Sequence, residues 1–469
     1  MLRLSSYAVL SARMKKGGYA LLSGLAGSID ILNEELYNVL YQKTRDADPH
    51  EIYFADDELP DDIRESWLSR SFLMQCPHED EKKTLQAVAE ALHNFESTFP
   101  HIIIVPDVDC NYRCAYCFEN DLHNCSLTAS AGKTAMDEDE VEWVFRAADQ
   151  VNVTSTAAKQ ITLFGGEPLN KDNKDIVDQI VKKGVSKGYH FAAVTNGHDL
   201  DAFLPLLGKN AISWIQVTID GPRHIHDRRR IPLDGSSSYE TVTANIRKAL
   251  AETDISVKIR VNLDDGNLDA FGELLEAFDG EGWMGGDRVS VNAAIVYAKD
   301  KDGVAAPRRD ISSMQNKLRP YTEKYTNVTI GCPQSNAEGY IFSALVSERP
   351  FMLRSSYCGS ASGMYIFQPG GKINSCWESV GKECSEIGRY SADGFDIYPT
   401  PAIEWFGRSV AEIPECLDCK YCLLCAGGCP QYAQYKYKTL YKPFCDDFDK
   451  TYAQVLADSV EQYLSAQGL

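Results

Sequence analysis

Cys110-Asn111-Tyr112-Arg113-Cys114-Ala115-Tyr116-Cys117 carries three cysteines in a C-x3-C-x2-C spacing. Such a loop offers three thiolates to one small cluster and leaves a fourth position open. An iron-sulfur cluster normally takes four cysteine thiolates, so one iron would be free to bind something else. The spacing is neither the C-x4-C-x2-C of plant ferredoxins nor the C-x2-C-x2-C run of bacterial ones. Zinc is the competing reading, and it usually wants four ligands with a distant second pair.

The loop directly follows a β-branched run, Ile102 to Val105. From there to about Val296, similar runs alternate with segments of helical period, the pattern of a parallel sheet wound with crossover helices. The further candidate strands are Ile161 to Phe164, Phe191 to Val194, Trp214 to Ile219, Ser256 to Leu263 and Arg288 to Ile295. Between them Val141, Val144, Phe145 and Ala148 repeat at i, i+3, i+4, i+7, as do Phe271, Leu274, Leu275 and Phe278, and both sets read as core faces. Six β/α units make a partial barrel, and such barrels place their chemistry in the loops at the carboxyl ends of the strands.

Those loops are polar and glycine-rich. Gly165-Gly166-Glu167-Pro168 follows the second strand, where glycines permit close backbone approach and a carboxylate can accept hydrogen bonds from an ammonium. Thr195-Asn196-Gly197 follows the third strand, and Val217-Thr218-Ile219-Asp220-Gly221-Pro222 follows the fourth, with His226-Asp227 downstream. Read singly, each is an ordinary turn making local hydrogen bonds. Taken in order after C-x3-C-x2-C, they resemble the radical S-adenosylmethionine (SAM) enzymes. The resemblance implies that Cys110, Cys114 and Cys117 hold a 4Fe-4S cluster whose open iron chelates the amino and carboxylate groups of SAM. It implies an aromatic residue beside the last cysteine, where Tyr116 stands. Gly165, Gly166, Glu167 and Pro168 would bind the methionine amino group, and Asn196, Thr218 and Asp220 would lie where cofactor and substrate meet.

Beyond the barrel pattern, from about Cys332, periodicity fades and cysteine density rises. Cys358 is followed after twelve residues by Gly371 and after four more by Cys376, then come Cys416, Cys419, Cys425, Cys429 and Cys445. This resembles the SPASM domain, which implies two auxiliary 4Fe-4S clusters. One would use Cys358, Cys376 and Cys429, and the other Cys416, Cys419, Cys425 and Cys445. The first then lacks a fourth ligand, which Cys332, Cys384 or the substrate would supply. Cys419, Cys422, Cys425, Cys429 and Pro430 also spell the bacterial-ferredoxin run, and Cys422 reads as a spare because the pattern is complete without it. Cys76 and Cys125 have no cluster spacing and read as buried, inert thiols.

Composition sets the outer limits. A chain of 469 residues accommodates two or three domains. Its 44% hydrophobic and 24% charged residues are ordinary for a globular protein. A formal charge of -20, from 47 Lys plus Arg against 67 Asp plus Glu, opposes broad attraction to phosphate backbones, so no nucleic-acid partner is expected. Arg223, Arg228, Arg229 and Arg230 could meet a carboxylate or phosphate, and a solvated basic face is the commoner reading. No apolar run approaches the roughly 18 residues needed to span a bilayer and the N-terminus lacks a signal-peptide layout, so a cytoplasmic protein without a membrane partner is expected. Fifteen cysteines in that reducing setting point to metal rather than disulfides.

The first 98 residues read as short strands near Tyr7 to Leu10, Tyr19 to Leu22 and Ser28 to Leu32, followed by helices. Asn33 is the N-cap of the first helix, and two more fit around Ile63 to Leu68 and Leu85 to Phe95. That order resembles a winged-helix-like peptide-recognition module; a simple N-terminal cap on the barrel is the other reading. The expected α/β architecture is therefore a winged-helix-like module (1–98), a partial (β/α)6 TIM-type barrel forming the radical SAM core (99–330), and a cysteine-rich iron-sulfur SPASM domain (331–469).

The resemblance implies an oxidoreductase that abstracts hydrogen from a precursor peptide through a 5'-deoxyadenosyl radical. It would install a thioether or carbon-carbon cross-link, as maturases of ribosomally made peptides do, and would need an external reductant such as flavodoxin or ferredoxin. The alternative is the anaerobic sulfatase-maturating type, which forms formylglycine and would not need the N-terminal module. A non-catalytic electron carrier or zinc scaffold leaves Glu167 and the other loops unexplained. No residue is marked by spacing as the catalytic base.

Overall fold

A computed structural model describes residues 1–119, 133–152, 159–296, 311–331, 335–382 and 385–468. The N-terminal part begins with strands β1 (Leu2–Leu4), β2 (Ala8–Leu10), β3 (Tyr19–Ser23) and β4 (Ile29–Leu32). Helix α1 (Glu34–Thr44) then opens on the expected cap, the Asn33 side chain accepting from the Leu36 N–H. Strand β5 (Tyr53–Phe54), helix α2 (Asp61–Ser69), strand β6 (Leu73–Met74) and helix α3 (His78–Glu96) complete this part. β2, β3 and β4 form one antiparallel sheet and β5, β1 and β6 another, so strands interleave with the helices instead of preceding them. The second sheet escapes the sequence reading because strands of two or three residues show no alternation.

Among the described residues the main sheet has eleven strands. Its parallel part is β7 (His101–Ile104), β8 (Gln160–Leu163), β9 (His190–Thr195), β10 (Ile212–Thr218), β11 (Ser256–Leu263), β12 (Val289–Ile295) and β13 (Val328–Gly331). The first six are the expected ones, displaced by two residues at most. The seventh is a correction to the count of six: it pairs in parallel with β12, and at four residues on the sheet edge it carries little pattern. On the far side of β7 the sheet continues through β14 (Met364–Gln368), β15 (Lys372–Asn374), β16 (Glu386–Ser391) and β17 (Gly394–Ile397). β14 runs parallel to β7 and the rest are antiparallel.

Helices cover the parallel strands because those strands present aliphatic side chains to them. Helix α4 (Glu138–Val151) starts in a capping box between Asp137 and Glu140, and its Val141, Val144, Phe145 and Ala148 are buried as the spacing requires. The face Phe271, Leu274, Leu275 and Phe278 of helix Phe271–Gly280 is buried too. Registry along β7 to β12 brings the strand-end loops to one edge, and the cysteine loop leaves from β7.

The N-terminal part packs on the cysteine-rich part. Tyr7, Leu25, Leu85 and Ala89 share one apolar cluster with Val410, Ile413, Cys416, Leu417, Cys422 and Leu423. The Tyr7 hydroxyl donates to the Leu417 carbonyl at 2.6 Å, and Lys82 of α3 pairs with Asp418 at 2.5 Å. Within the N-terminal part, Arg3 and Glu81 form a fully buried ion pair, with Ser5 and the Ser6 N–H also bonded to Glu81. Among the described residues no helix is long and apolar enough to cross a membrane.

Candidate functional site

The loop after β7 is stitched to the Gly-Gly-Glu-Pro loop after β8. The Gly166 N–H donates to the Asp107 carbonyl at 3.2 Å and the Glu167 N–H to the Asp109 carbonyl at 2.9 Å. Gly165 takes φ +132°, and a Cβ on Gly166 would lie 2.1 Å from the Asp109 carbonyl oxygen. Glycine is thus required at both positions, once for conformation and once for room. Asp107 braces the turn, accepting from the Asp109 N–H at 2.8 Å and the Asn173 amide at 2.6 Å.

The three thiols of this loop lie in surroundings that burial makes unfavourable for charge, and all three pKa values are pushed up, Cys117 to about 12. They also feel one another electrostatically, Cys114 acting on both Cys110 and Cys117, while Arg230 opposes the rise. The Tyr112 N–H points at the Cys110 sulfur at 3.4 Å. Among the described residues, no three His, Cys, Asp or Glu side chains are drawn into a metal-sized cage. The donor set nevertheless fits a cluster: three coupled thiols on one loop, an N–H aimed at sulfur, and a nearby cation. A bound metal deprotonates a coordinating thiol outright, which reverses the burial effect.

The sequence-expected polar residues fall into two groups around this loop. In one, the buried Glu167 accepts from the Thr195 hydroxyl at 2.5 Å and the Leu169 N–H at 2.8 Å, and through its other oxygen from the Asn196 N–H at 2.6 Å. Burial still pushes its pKa up to about 7. The Asn196 amide reaches the Asn111 side chain at 2.7 Å and the Cys110 sulfur at 3.8 Å, and Pro168 is buried beside it. Glu167 thereby braces three loops, and its Oε2, which accepts one bond where Oε1 accepts two, retains acceptor capacity for a bound ammonium. In the other group, Asp220 accepts from the Tyr116 hydroxyl and from the Asn262 N–H at 3.0 Å. Thr218 is buried at the end of β10.

His226 and Asp227 serve the backbone. The His226 Nδ1 accepts from the Asp220 N–H at 3.1 Å, and burial pushes the ring's pKa down to about 3. Asp227 accepts from the Ser237 and Ser238 hydroxyls and the Tyr239 N–H at the start of helix Ser238–Glu252.

The arginine quartet divides, which corrects its reading as a solvated face. Arg223 and Arg228 are exposed. Arg229 pairs with Asp264 at 2.8 Å and stacks 5.0 Å from the Tyr116 ring centre. Arg230 donates to the Tyr116 hydroxyl at 2.8 Å and sits over the Tyr112 ring. Arg229 and Arg230 turn inward because the short helix Arg223–Arg229 ends against the cysteine loop; adjacent identical residues carry no spacing signal of that.

Sequence reasoning also missed Glu119. Its carboxyl is buried, with Oε1 unpartnered, and burial pushes its pKa up to about 8, with Lys382 opposing. Phe118, Phe164 and Trp377 stack in series and join the cysteine loop to the turn after Cys376. Lys382 reinforces that junction by donating to the Phe118 carbonyl at 3.4 Å.

Among the later cysteines, electrostatic influence runs within two sets, the larger of which includes Cys422. Cys416, Cys419, Cys425 and Cys445 interact electrostatically, as do Cys358, Cys376 and Cys429. The turn between Cys425 and Cys429 lies so near the chain leading to Cys445 that a Cβ on Gly428 would be 1.8 Å from the Phe444 carbonyl oxygen. Cys422 is 2% exposed within the apolar cluster against Tyr7 and Leu85, although Cys416, Cys419 and Cys425 are near. Cys76, expected to be buried, is partly exposed. Cys125, Cys332 and Cys384 lie outside the described residues.

Residues 104–278 match the radical SAM superfamily. The chain carries a radical SAM domain. This domain holds the cysteine loop, the Glu167 loop and the Asp220 cluster. A GTP 3',8-cyclase of Clostridium perfringens (strain SM101 / Type A) is 28% identical over 172 residues, 35% of this chain and 47% of that protein. The radical SAM cyclopropyl synthase TigE of Paramaledivibacter caminithermalis is 20% identical over 258 residues, 52% of this chain and 54% of its own. The chain thus spans about half the length of these curated relatives. Among solved structures, native anSMEcpe with bound AdoMet and Cp18Cys peptide aligns over 77% of this chain and 99% of its own, with a TM-score of 0.54 and 14% identity. That likeness establishes the shared fold.

Proposed function

We propose that this protein is a radical SAM maturase that acts on a precursor peptide and joins two of its residues by a thioether or carbon-carbon bond. The observation that carries the reading is the aromatic junction Phe118–Phe164–Trp377, which links the loop of Cys110, Cys114 and Cys117 to Cys376 of the next cysteine group. A cluster held at Cys376 would supply an electron acceptor on the far side of that junction. Cys110, Cys114 and Cys117 would hold the SAM-binding 4Fe-4S cluster. Cys358, Cys376 and Cys429 would hold one auxiliary cluster, and Cys416, Cys419, Cys425 and Cys445 the other. When bound, the first cluster with SAM supplies the one-electron cleavage that makes a hydrogen-abstracting carbon radical.

The protein's own residues orient and shield. Glu167 and the Gly165-Gly166 backbone form the wall for the methionine amino group, and Arg230 offers a cation beside the same loop. Tyr116 and Asp220, held together by Asn262, form the second polar group beside the cysteine loop. The N-terminal part, packed on the Cys416–Cys425 segment, would hold the precursor by strand addition. A solved relative of the same fold carries AdoMet and a peptide together, which supports a peptide substrate.

The test is iron, acid-labile sulfide and zinc per chain after anaerobic reconstitution, with deoxyadenosine release on the same sample. About twelve iron and twelve sulfide with deoxyadenosine formed is the expected result. Zinc without sulfide would refute it. Product mass separates the two peptide chemistries: a cross-link removes two hydrogens and keeps sulfur, whereas formylglycine formation from cysteine loses sulfur.

A further inference from the structure

Arg408 stands just after helix Pro399–Phe406 and is 0% exposed. Its Nε donates to the Leu440 carbonyl at 2.6 Å. One terminal nitrogen, Nη2, donates to the Gly427 carbonyl at 3.0 Å and to the Lys442 carbonyl at 3.4 Å. The other, Nη1, is buried and meets no acceptor among the described residues. Arg3 makes the comparison: it is buried to the same degree, and Glu81 answers its charge at 2.5 Å. No carboxylate pairs with Arg408 among the described residues. A buried guanidinium without an anion is a costly arrangement, and buried charges are as a rule paired or set against a metal group.

What surrounds this guanidinium is sulfur. Burial disfavours its charge, and four cysteines favour it: Cys429, Cys416, Cys358 and Cys425, in falling order of strength. Cys358 and Cys429 belong to one of the two sets described above, and Cys416 and Cys425 to the other. The Gly427 carbonyl held by Nη2 stands midway between Cys425 and Cys429, where the chain passes from one set to the other, and a Cβ on Gly427 would lie 3.4 Å from Nη2. Arg408 thus lies between the two sets with donor capacity left over. Protonated thiols are weak acceptors and leave that capacity unused. Thiolates and sulfides of an iron-sulfur cluster are anionic, and they accept hydrogen bonds.

We propose that Arg408 is the shared counter-cation of the two auxiliary clusters, its Nη1 donating to cluster sulfur and its charge setting how readily they take up an electron. The inference rests on the maturase reading above, which assigns those cysteines to 4Fe-4S groups. Net charge and hydrogen bonds to sulfur are two of the levers by which a protein tunes such a cluster. Reduction brings one electron to the cluster and no proton to the guanidinium, so the added negative charge is stabilised by the cation beside it and the potential rises. Arg408 acts through the clusters, which makes it a positioning residue and not a catalytic one. The competing role is mechanical, a brace that ties the Gly427, Leu440 and Lys442 carbonyls together.

The experiment is a redox titration of the reconstituted full-length protein with dithionite, followed by electron paramagnetic resonance, taking as auxiliary the signals that added SAM leaves unchanged. Arg408→Gln keeps amide donors for the carbonyls and removes the charge; Arg408→Lys keeps the charge. Arg408→Gln is expected to shift the auxiliary reduction equilibrium at least about tenfold toward the oxidised form, a midpoint about 59 mV lower for one electron. Arg408→Lys should stay within about twofold of wild type. Loss of about four iron per chain from Arg408→Gln alone would support the assignment equally, because it would show that the charge holds a cluster in place. Midpoints unchanged in Arg408→Gln, or lowered alike in both variants, would overturn it, as would iron lost equally from both, since a brace predicts no difference between them. Wild-type protein that holds about four iron instead of about twelve would remove the auxiliary clusters themselves, and with them the reading on which the inference rests.

Discussion

Replacing Gly166 by alanine adds one methyl group at the tightest point between the two stitched loops. The new Cβ would lie 2.1 Å from the Asp109 carbonyl oxygen, 2.4 Å from its carbon and 2.6 Å from the Val108 carbonyl oxygen. Ordinary contact begins at 3.4 Å, so a gap of about 1.3 Å must open. Every obstructing atom is backbone, and rotamer changes give no relief. Opening the gap also breaks the 2.9 Å bond from the Glu167 N–H to Asp109, worth about 1 kcal/mol. Overpacking adds about 1–3 kcal/mol, for a total of about 2–4 kcal/mol. The larger effect is functional, because Asp109 immediately precedes Cys110: a displacement on the order of 1 Å costs about 10²-fold in rate where geometry is exacting. Gly280→Ala is the control, since it lies at the end of helix Phe271–Gly280 with nothing within 4 Å of an added Cβ. Iron and sulfide per chain, thermal unfolding and deoxyadenosine release should be measured on both. Gly166→Ala with wild-type iron, melting temperature and deoxyadenosine release would refute the argument that these loops are held together by the missing side chain.

Four further outcomes follow from the structure. His226 has its pKa lowered from 6.5 to about 3, so the stability tied to its neutral form is present above pH 6.5 and is lost as pH falls toward 3. Between pH 6.5 and 5 the loss should be about 2 kcal/mol, and urea midpoints for His226→Gln should show a flatter pH dependence; parallel curves would sink this assignment. Glu81→Ala leaves the Arg3 guanidinium, 1% exposed, without its carboxylate and should cost about 3–5 kcal/mol in chemical denaturation, much of it recovered by Arg3→Met with Glu81→Leu. Replacing Cys110, Cys114 and Cys117 by alanine together should abolish deoxyadenosine formation while about eight iron per chain remain bound; persistent SAM cleavage would contradict the central assignment. Cys422→Ala should leave iron per chain unchanged, whereas a loss of about four would put Cys422 among the ligands.

Much of the barrel was legible because its signals are local. Six β-branched runs appear as parallel strands within two residues of their expected bounds, since a strand buried on both faces announces itself by composition. The Asn33 cap and the α4 face were equally readable, one from a single side-chain oxygen and the other from helical period. β1, β5 and β6 were not, because two or three residues sustain no period and pair only with partners far along the chain. β13, paired only with β12 at the sheet edge, was not read either.

Sequence alone determined which residues are candidate cluster ligands and in which loop each polar group stands, because cysteine spacing, glycine pairs and strand ends are short-range properties. Tertiary structure alone decided which of them face one another. It turned Arg229 and Arg230 inward while leaving Arg223 and Arg228 in solvent. It brought Phe118, Phe164 and Trp377 into one stack across more than 250 residues of sequence, and set Cys422 against Tyr7 and Leu85. Such contacts join segments whose separation along the chain leaves no periodic trace, and they form where parallel pairing and apolar burial bring those segments together.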